Sequence, residues 1–140
     1  MKQLFLVLCV LVFVLSCKDV SEINADKQVF TINFEDAPSF YFKTTAELFS
    51  YEEISLTKTK KQSITDKKTD YIFYSSEIFY KQVSDTIIIY APRGAISEPV
   101  EKFSEITVII NKLADYDEVK DYNINYKEYG LDKVSTLPAR

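Results

Sequence analysis

From Gln28 onward, apolar residues recur mostly at every second position. Phe30, Ile32 and Phe34 share one face of such a pattern, with Val29, Thr31 and Asn33 on the other. Phe40 and Phe42 resume it after Asp36-Ala37-Pro38. Side chains along a strand alternate between its two faces, so this period predicts half-buried strands. Ile54 and Leu56 alternate with Ser55 and Thr57, and Tyr71-Ile72-Phe73-Tyr74 is apolar or aromatic throughout. Ile78–Lys81 and Thr86–Tyr90 flank Gln82-Val83-Ser84-Asp85 and predict a hairpin, although Asn-Gly, the strongest turn pair, is missing. Ile87-Ile88-Ile89-Tyr90 is apolar on both faces, which places it centrally in a sheet. Pro92, Gly94 and Pro99 mark 91–102 as a loop, after which Ile106, Val108 and Ile110 alternate again. Thr44-x-x-Glu47 has the spacing that opens a helix near 45–52. Leu48, Tyr51 and Ile54 fit neither period there, so helix and strand both stay open.

The period changes near the end of the chain. Val119, Tyr122, Tyr126 and Tyr129 fall at i, i+3, i+7 and i+10, a single stripe along a helix. Asp115-x-x-Glu118 has the form of a capping box, in which Asp115 accepts from first-turn N–H groups and Glu118 reaches back. Gly130 stands where a left-handed residue ends a helix, with Leu131 placed for the accompanying apolar contact. Asn123, Ile124 and Asn125 are poor helix formers and oppose this reading. Leu131–Leu137 predicts a last strand, which would lie parallel to the strand before the helix if the two were neighbours. The expected fold class is α+β and β-rich: a mostly antiparallel sheet, one C-terminal helix at about 115–129, and a final strand. The alternative is an all-β sandwich with 115–129 as strand and loop. Two glycines are few for the turns it needs.

The first residues follow a different logic. Lys2 precedes an uninterrupted apolar run of twelve residues, Leu4–Leu15. Crossing a hydrocarbon core takes about 20 residues in a helix, so the run is too short to span and instead fits a secretory signal over 1–16. Val14-Leu15-Ser16-Cys17 resembles the lipobox of bacterial lipoproteins, with Leu15 at a position where a small residue is more usual. The resemblance covers these four residues and the signal before them. It implies cleavage before Cys17, a diacylglyceryl thioether on its sulfur and an acyl group on its amine. One acyl chain binds a membrane only marginally, whereas two or three anchor durably. In the family's sorting rule an Asp after the Cys retains the protein at the inner membrane. Lys18 at that position therefore points to the outer membrane. Cys9 would leave with the signal and Cys17 would carry lipid, so the mature chain would hold neither thiol nor disulfide. Residues 17–27 then form the lipidated Cys and a polar tether, and 28–140 a single globular domain.

Composition narrows the chemistry further. The 140 residues include no His and no Trp, so nucleophile–imidazole machinery and His zinc sites are excluded. With only Gly94 and Gly130, no phosphate-binding glycine loop or dinucleotide turn can be written. Removing 1–16 takes one base and no acid from 17 basic and 21 acidic residues, leaving a net −5, a solubility charge rather than a polyanion-binding signature. About 124 residues bury roughly two-thirds of their unfolded surface, enough for one unaided core.

Two charged groups stand out. Lys58, Lys60, Lys61, Lys67 and Lys68, opposed by Asp66 alone, give +4 over eleven residues. They would meet lipid phosphates or another polyanion near a membrane, or else form a solvated loop or a guarded sheet edge. No aromatic is interleaved with them, which disfavours nucleic acid. Asp115, Asp117, Glu118 and Asp121 have the acid density of a calcium loop but lack its glycine and alternation, and the helix cap uses the same residues. Glu52 and Glu53 would point to opposite faces of a strand and could not act as a catalytic pair. Most of the ten Tyr and ten Phe lie at strand or helix periods and fit a core. Arg93 is the one arginine before the terminal residue and a candidate partner contact in the 91–102 loop.

The expectation is a non-enzymatic, lipid-anchored envelope protein that needs no cofactor or metal. It would contact the membrane through its N-terminal lipid and bind another envelope protein or a surface polymer, using a sheet edge or the 91–102 loop. A minor structural component of an envelope assembly is the second reading, and a carboxylate-dependent hydrolase the third. Cys17 is the lipidation site. Lys58, Lys60, Lys61, Lys67, Lys68 and Arg93 are the candidate partner contacts.

Overall fold

A computed structural model describes residues 25–47, 52–61 and 65–137. The signal segment, Cys17 and residues 18–24 of the tether lie outside them. Among the described residues nine strands form two sheets, and a ten-residue helix packs outside the second. The first sheet takes β1 (Ala25–Ile32), β2 (Phe40–Glu47), β3 (Glu52–Thr57), β4 (Tyr71–Phe73) and β7 (Ile96–Ser97), in that order and antiparallel throughout. The second takes β8 (Thr107–Leu113), β6 (Thr86–Pro92), β5 (Glu77–Val83) and β9 (Asp132–Ser135) in that order. Only its β6–β8 pair is parallel. The helix, α1, is Tyr116–Asn125. The chain is thus α+β and β-rich, mostly antiparallel, with a final strand. Helical geometry at 116–125 removes the all-β alternative.

The alternation in the sequence is the core. Ile32, Phe40, Phe42, Ile54, Leu56, Tyr71 and Phe73 of the first sheet meet Ile78, Ile87, Ile89, Ala91 and Val134 of the second. Each Ile, Leu, Val or Phe among them contributes about 1.5–3 kcal/mol by leaving water. Division into two facing sheets is what the pattern did not specify, because period two says which face is buried and not which strand lies alongside. Phe103, from the segment before β8, closes one end of this layer against Phe40 and Tyr71, at centroid distances of 4.9 and 5.3 Å.

The run Ile87–Tyr90 is apolar on both sides because β6 is central and covered twice. Ile87 and Ile89 enter the inter-sheet core, while Tyr90 faces the helix beside Phe79, Val119, Tyr122 and Tyr126. The helix covers only the half of this outer face near Leu113, so Ile109 and Val83 remain 45% and 55% exposed.

Several local details differ from the sequence reading. Residues 45–47 belong to β2, and 48–51 lie outside the described residues. The 91–102 loop contains a 3₁₀ turn at Arg93–Ala95 and the short strand β7, which crosses to the first sheet to pair with β4. Strands β8 and β9 run in the same direction but are not neighbours, since β6 and β5 lie between them. Pairing begins at Ala25, three residues before the period becomes visible at Gln28. The hairpin turn is Ser84-Asp85, with Ser84 at φ 57, an unusual conformation for a residue with a Cβ.

The helix ends follow their sequence signals. The Asp115 carboxylate accepts from the Glu118 N–H at 3.0 Å, and the Glu118 carboxylate accepts from the Ala114 N–H. At the other end Gly130 has φ 70; its N–H donates to the Lys127 carbonyl at 3.1 Å, and the Leu131 N–H to the Tyr126 carbonyl at 2.9 Å. These two bonds are a Schellman closure, and Leu131 packs in the cluster that holds Tyr126. Regular helix stops at Asn125, with 126–130 as turn, so it is shorter than the 115–129 expected.

Candidate functional site

Strand register gives the molecule two distinct ends. Ala25 pairs with Glu47 and Ile32 with Phe40, while Thr57 pairs with Tyr41. The connection after Thr57 therefore leaves the first sheet at the end opposite Ala25. Eight residues of strand separate these ends by about 23 Å. The connection returns at Asp70 to the same far end, because Tyr71 pairs with Leu56. Strand β6 runs the other way along the sandwich, so Arg93 lies near the Ala25 end, where Ile96 pairs with Phe73. The five lysines and Arg93 are thus not brought together. The connection that carries the lysines leaves and rejoins the sheet at the end away from Arg93.

The β3–β4 connection is built onto the outer face of the first sheet. Lys43 is only 8% exposed, and its ammonium donates to the Lys61 carbonyl at 3.1 Å. Asp70 is 6% exposed and its carboxylate accepts from the Asp66 N–H at 2.9 Å. The Asp66 carbonyl in turn accepts from the Thr69 and Asp70 N–H groups, and its side chain accepts from the Lys68 N–H. The Thr65 hydroxyl donates to the Glu53 carboxylate, and the Glu101 N–H reaches the Lys68 carbonyl at 2.9 Å. Among the described residues of the connection, Lys60, Lys61, Lys67 and Lys68 are exposed.

Lys58 behaves differently. Its ammonium meets the Glu105 carboxylate at 2.6 Å and lies 5.6 Å from the Phe103 ring centre. The bond from Lys58 holds the Glu105 carboxyl below its ordinary value. Both side chains are partly exposed, so this pair contributes little to stability and weakens with salt. Its effect is to tie the β3–β4 connection to the segment entering β8.

Two open clefts occupy the same far end. One, of about 270 Å³, lies between Thr57–Thr59, Thr69, Asp70 and Glu101–Phe103. The other, of about 610 Å³, is lined by Asn33–Ala37, Gln82, Ser84, Asp85 and Glu105. It is polar and acidic, and Gln82 crosses it to donate to the Asn33 carbonyl at 2.8 Å. Among the described residues no three His, Cys, Asp or Glu side chains gather as a metal site. Three of the four acids near the helix start are engaged: Asp115 and Glu118 cap it, and Asp121 accepts from Asn125 and from the Tyr129 hydroxyl, both at 2.7 Å. Glu52 and Glu53 are successive residues of β3 and so face opposite ways.

No family model, curated protein or solved structure matches this chain. Among the described residues no helix is long and apolar enough to cross a membrane.

Lys43 was missed by sequence reasoning. Its place opposite Phe42 in the alternation gave the only signal, marking it as outward on β2. That the outward face would itself be covered depends on where the β3–β4 connection folds, and no local pattern encodes that.

Proposed function

We propose that the mature chain is a lipid-anchored cell-envelope protein whose sandwich serves as a non-enzymatic binding module. The observation supporting this reading is the direction in which the clefts face. The lipobox-like Cys17 precedes the first residue of β1 by eight positions, whereas both clefts lie at the opposite end. Lipid at Cys17 would hold one end of the sandwich toward a membrane and present the other to whatever lies beyond. Lys18 at the sorting position supports an outer-membrane address.

Two measurements test the reading. Cys17→Ser should move the protein from the membrane fraction to the soluble fraction. Crosslinking in intact envelopes followed by mass spectrometry should return one stoichiometric partner. Several abundant envelope proteins in no fixed ratio would instead make the chain a minor structural component, and the binding-module reading would fail.

A further inference from the structure

The lysines of the β3–β4 connection suggest what kind of partner the outer face of the first sheet takes. We infer that Lys60, Lys61, Lys67 and Lys68 form a docking surface for a flexible anionic polymer chain bearing phosphate or carboxylate groups. The inference rests on the envelope address proposed above and adds the ligand's chemistry and the residues that meet it.

Three observations carry it. Charge is segregated: the chain has a net −4, yet 58–68 holds five lysines against Asp66. Screening confines electrostatic attraction to about 8 Å at physiological salt, so a polyanion senses the local surface and not the molecular total. The described parts of the connection that carry the cations are also held by hydrogen bonds. Asp66 and Asp70 are engaged by backbone N–H groups of the same connection, and Lys43 and Glu101 pin it from two sides. Lys58 is held by Glu105 and is not part of the surface.

The third observation is the type of residue. All four cations are lysines, point charges without the planar fork by which arginine recognises a group bidentately. Protein interface cores are depleted in lysine and enriched in aromatic residues and arginine. The described residues of this connection contain neither aromatic nor arginine, which also removes the stacking that single-stranded nucleic acid requires. A hydrated polymer carrying repeated negative groups is bound well by point charges alone. The connection lies over the outer face of the first sheet, with Lys61 on Lys43 and Thr65 on Glu53, so its lysines face sideways from the strands rather than toward the anchored end.

The test uses the full chain in neutral detergent. Binding to linear inorganic polyphosphate and to alginate is measured across a salt series, with vesicles containing anionic phospholipid as a separate arm. The expected result is binding to at least one polymer, weakened tenfold or more by combined Lys60→Gln, Lys61→Gln, Lys67→Gln and Lys68→Gln. The slope of log affinity against log salt should fall by roughly 3 in that variant. A variant with Lys112→Gln, Lys120→Gln and Lys127→Gln should keep its affinity within about twofold. Equal losses in both variants, binding to vesicles alone, or no polymer binding by the unaltered chain would each overturn the inference. Intact mass of the same preparation reads acylation of Cys17 separately, so failure of the anchor and failure of the polymer site are told apart.

Discussion

The Tyr129 hydroxyl donates to the Asp121 carboxylate, and that bond pushes the phenol above its ordinary value. Tyr71, Tyr80 and Tyr122 are raised too, first by burial and then by nearby Glu98, Asp132, and the Tyr90, Glu118 and Asp121 group respectively. All four shifts favour the neutral phenol in the folded chain. Their contribution to stability is fully present below the unfolded tyrosine value of about 10 and is lost as pH rises through the raised folded values. Denaturant midpoints should therefore fall between about pH 9 and pH 11, with tyrosinate absorbance appearing alongside unfolding. A midpoint that does not change over this range would contradict the assignment. Tyr129→Phe should make the decline shallower, since it removes one of the four groups.

At the scale of elements, the helix is held at three places that can be tested one by one. Asp115→Ala removes the cap and should cost about 1 kcal/mol. Gly130→Ala meets no atom within 4 Å, so its cost of about 1 kcal/mol would come from the positive φ alone. The two sites lie at opposite helix ends, and thermal unfolding of the double variant should show additive losses. Phe79 joins helix to sheet: it is 1% exposed, with Tyr122 and Tyr126 ring centres at 6.0 and 5.8 Å. Phe79→Ala should cost about 3–5 kcal/mol. In hydrogen exchange, the amides of 116–125 should lose protection before those of β6.

These elements also mark how far the sequence could be read. Asp115, Glu118, Gly130 and the tyrosine stripe signal the helix because each acts on residues within one or two turns. The strands were visible for the same reason. Pairing was not, since β6 finds β8 only after the chain crosses to the other sheet as β7, and two residues of β7 carry no period. The lysines were legible as a charge run, but their separation into four outward cations and one engaged by Glu105 depends on contacts 47 residues apart. Arg93 was grouped with them by chemistry, and topology puts it away from where their connection leaves the sheet.

For the whole molecule, the organising fact is the axis set by β1. Ala25 lies at one end, and Thr57, Asp70 and Phe103 lie at the other, sealed around Phe40 and Tyr71. An anchor before β1 turns that axis into a direction, with the clefts held outward. Strand length sets the scale, so the separation does not depend on any single side chain. The direction, and every proposal built on it, depends on Cys17 being lipidated. Intact mass of the protein extracted from native membranes decides this most directly. The proposal predicts a chain that begins at Cys17 and carries diacylglycerol together with an amide-linked acyl group. A chain beginning at Met1, or one with an unmodified Cys17 thiol, would contradict it.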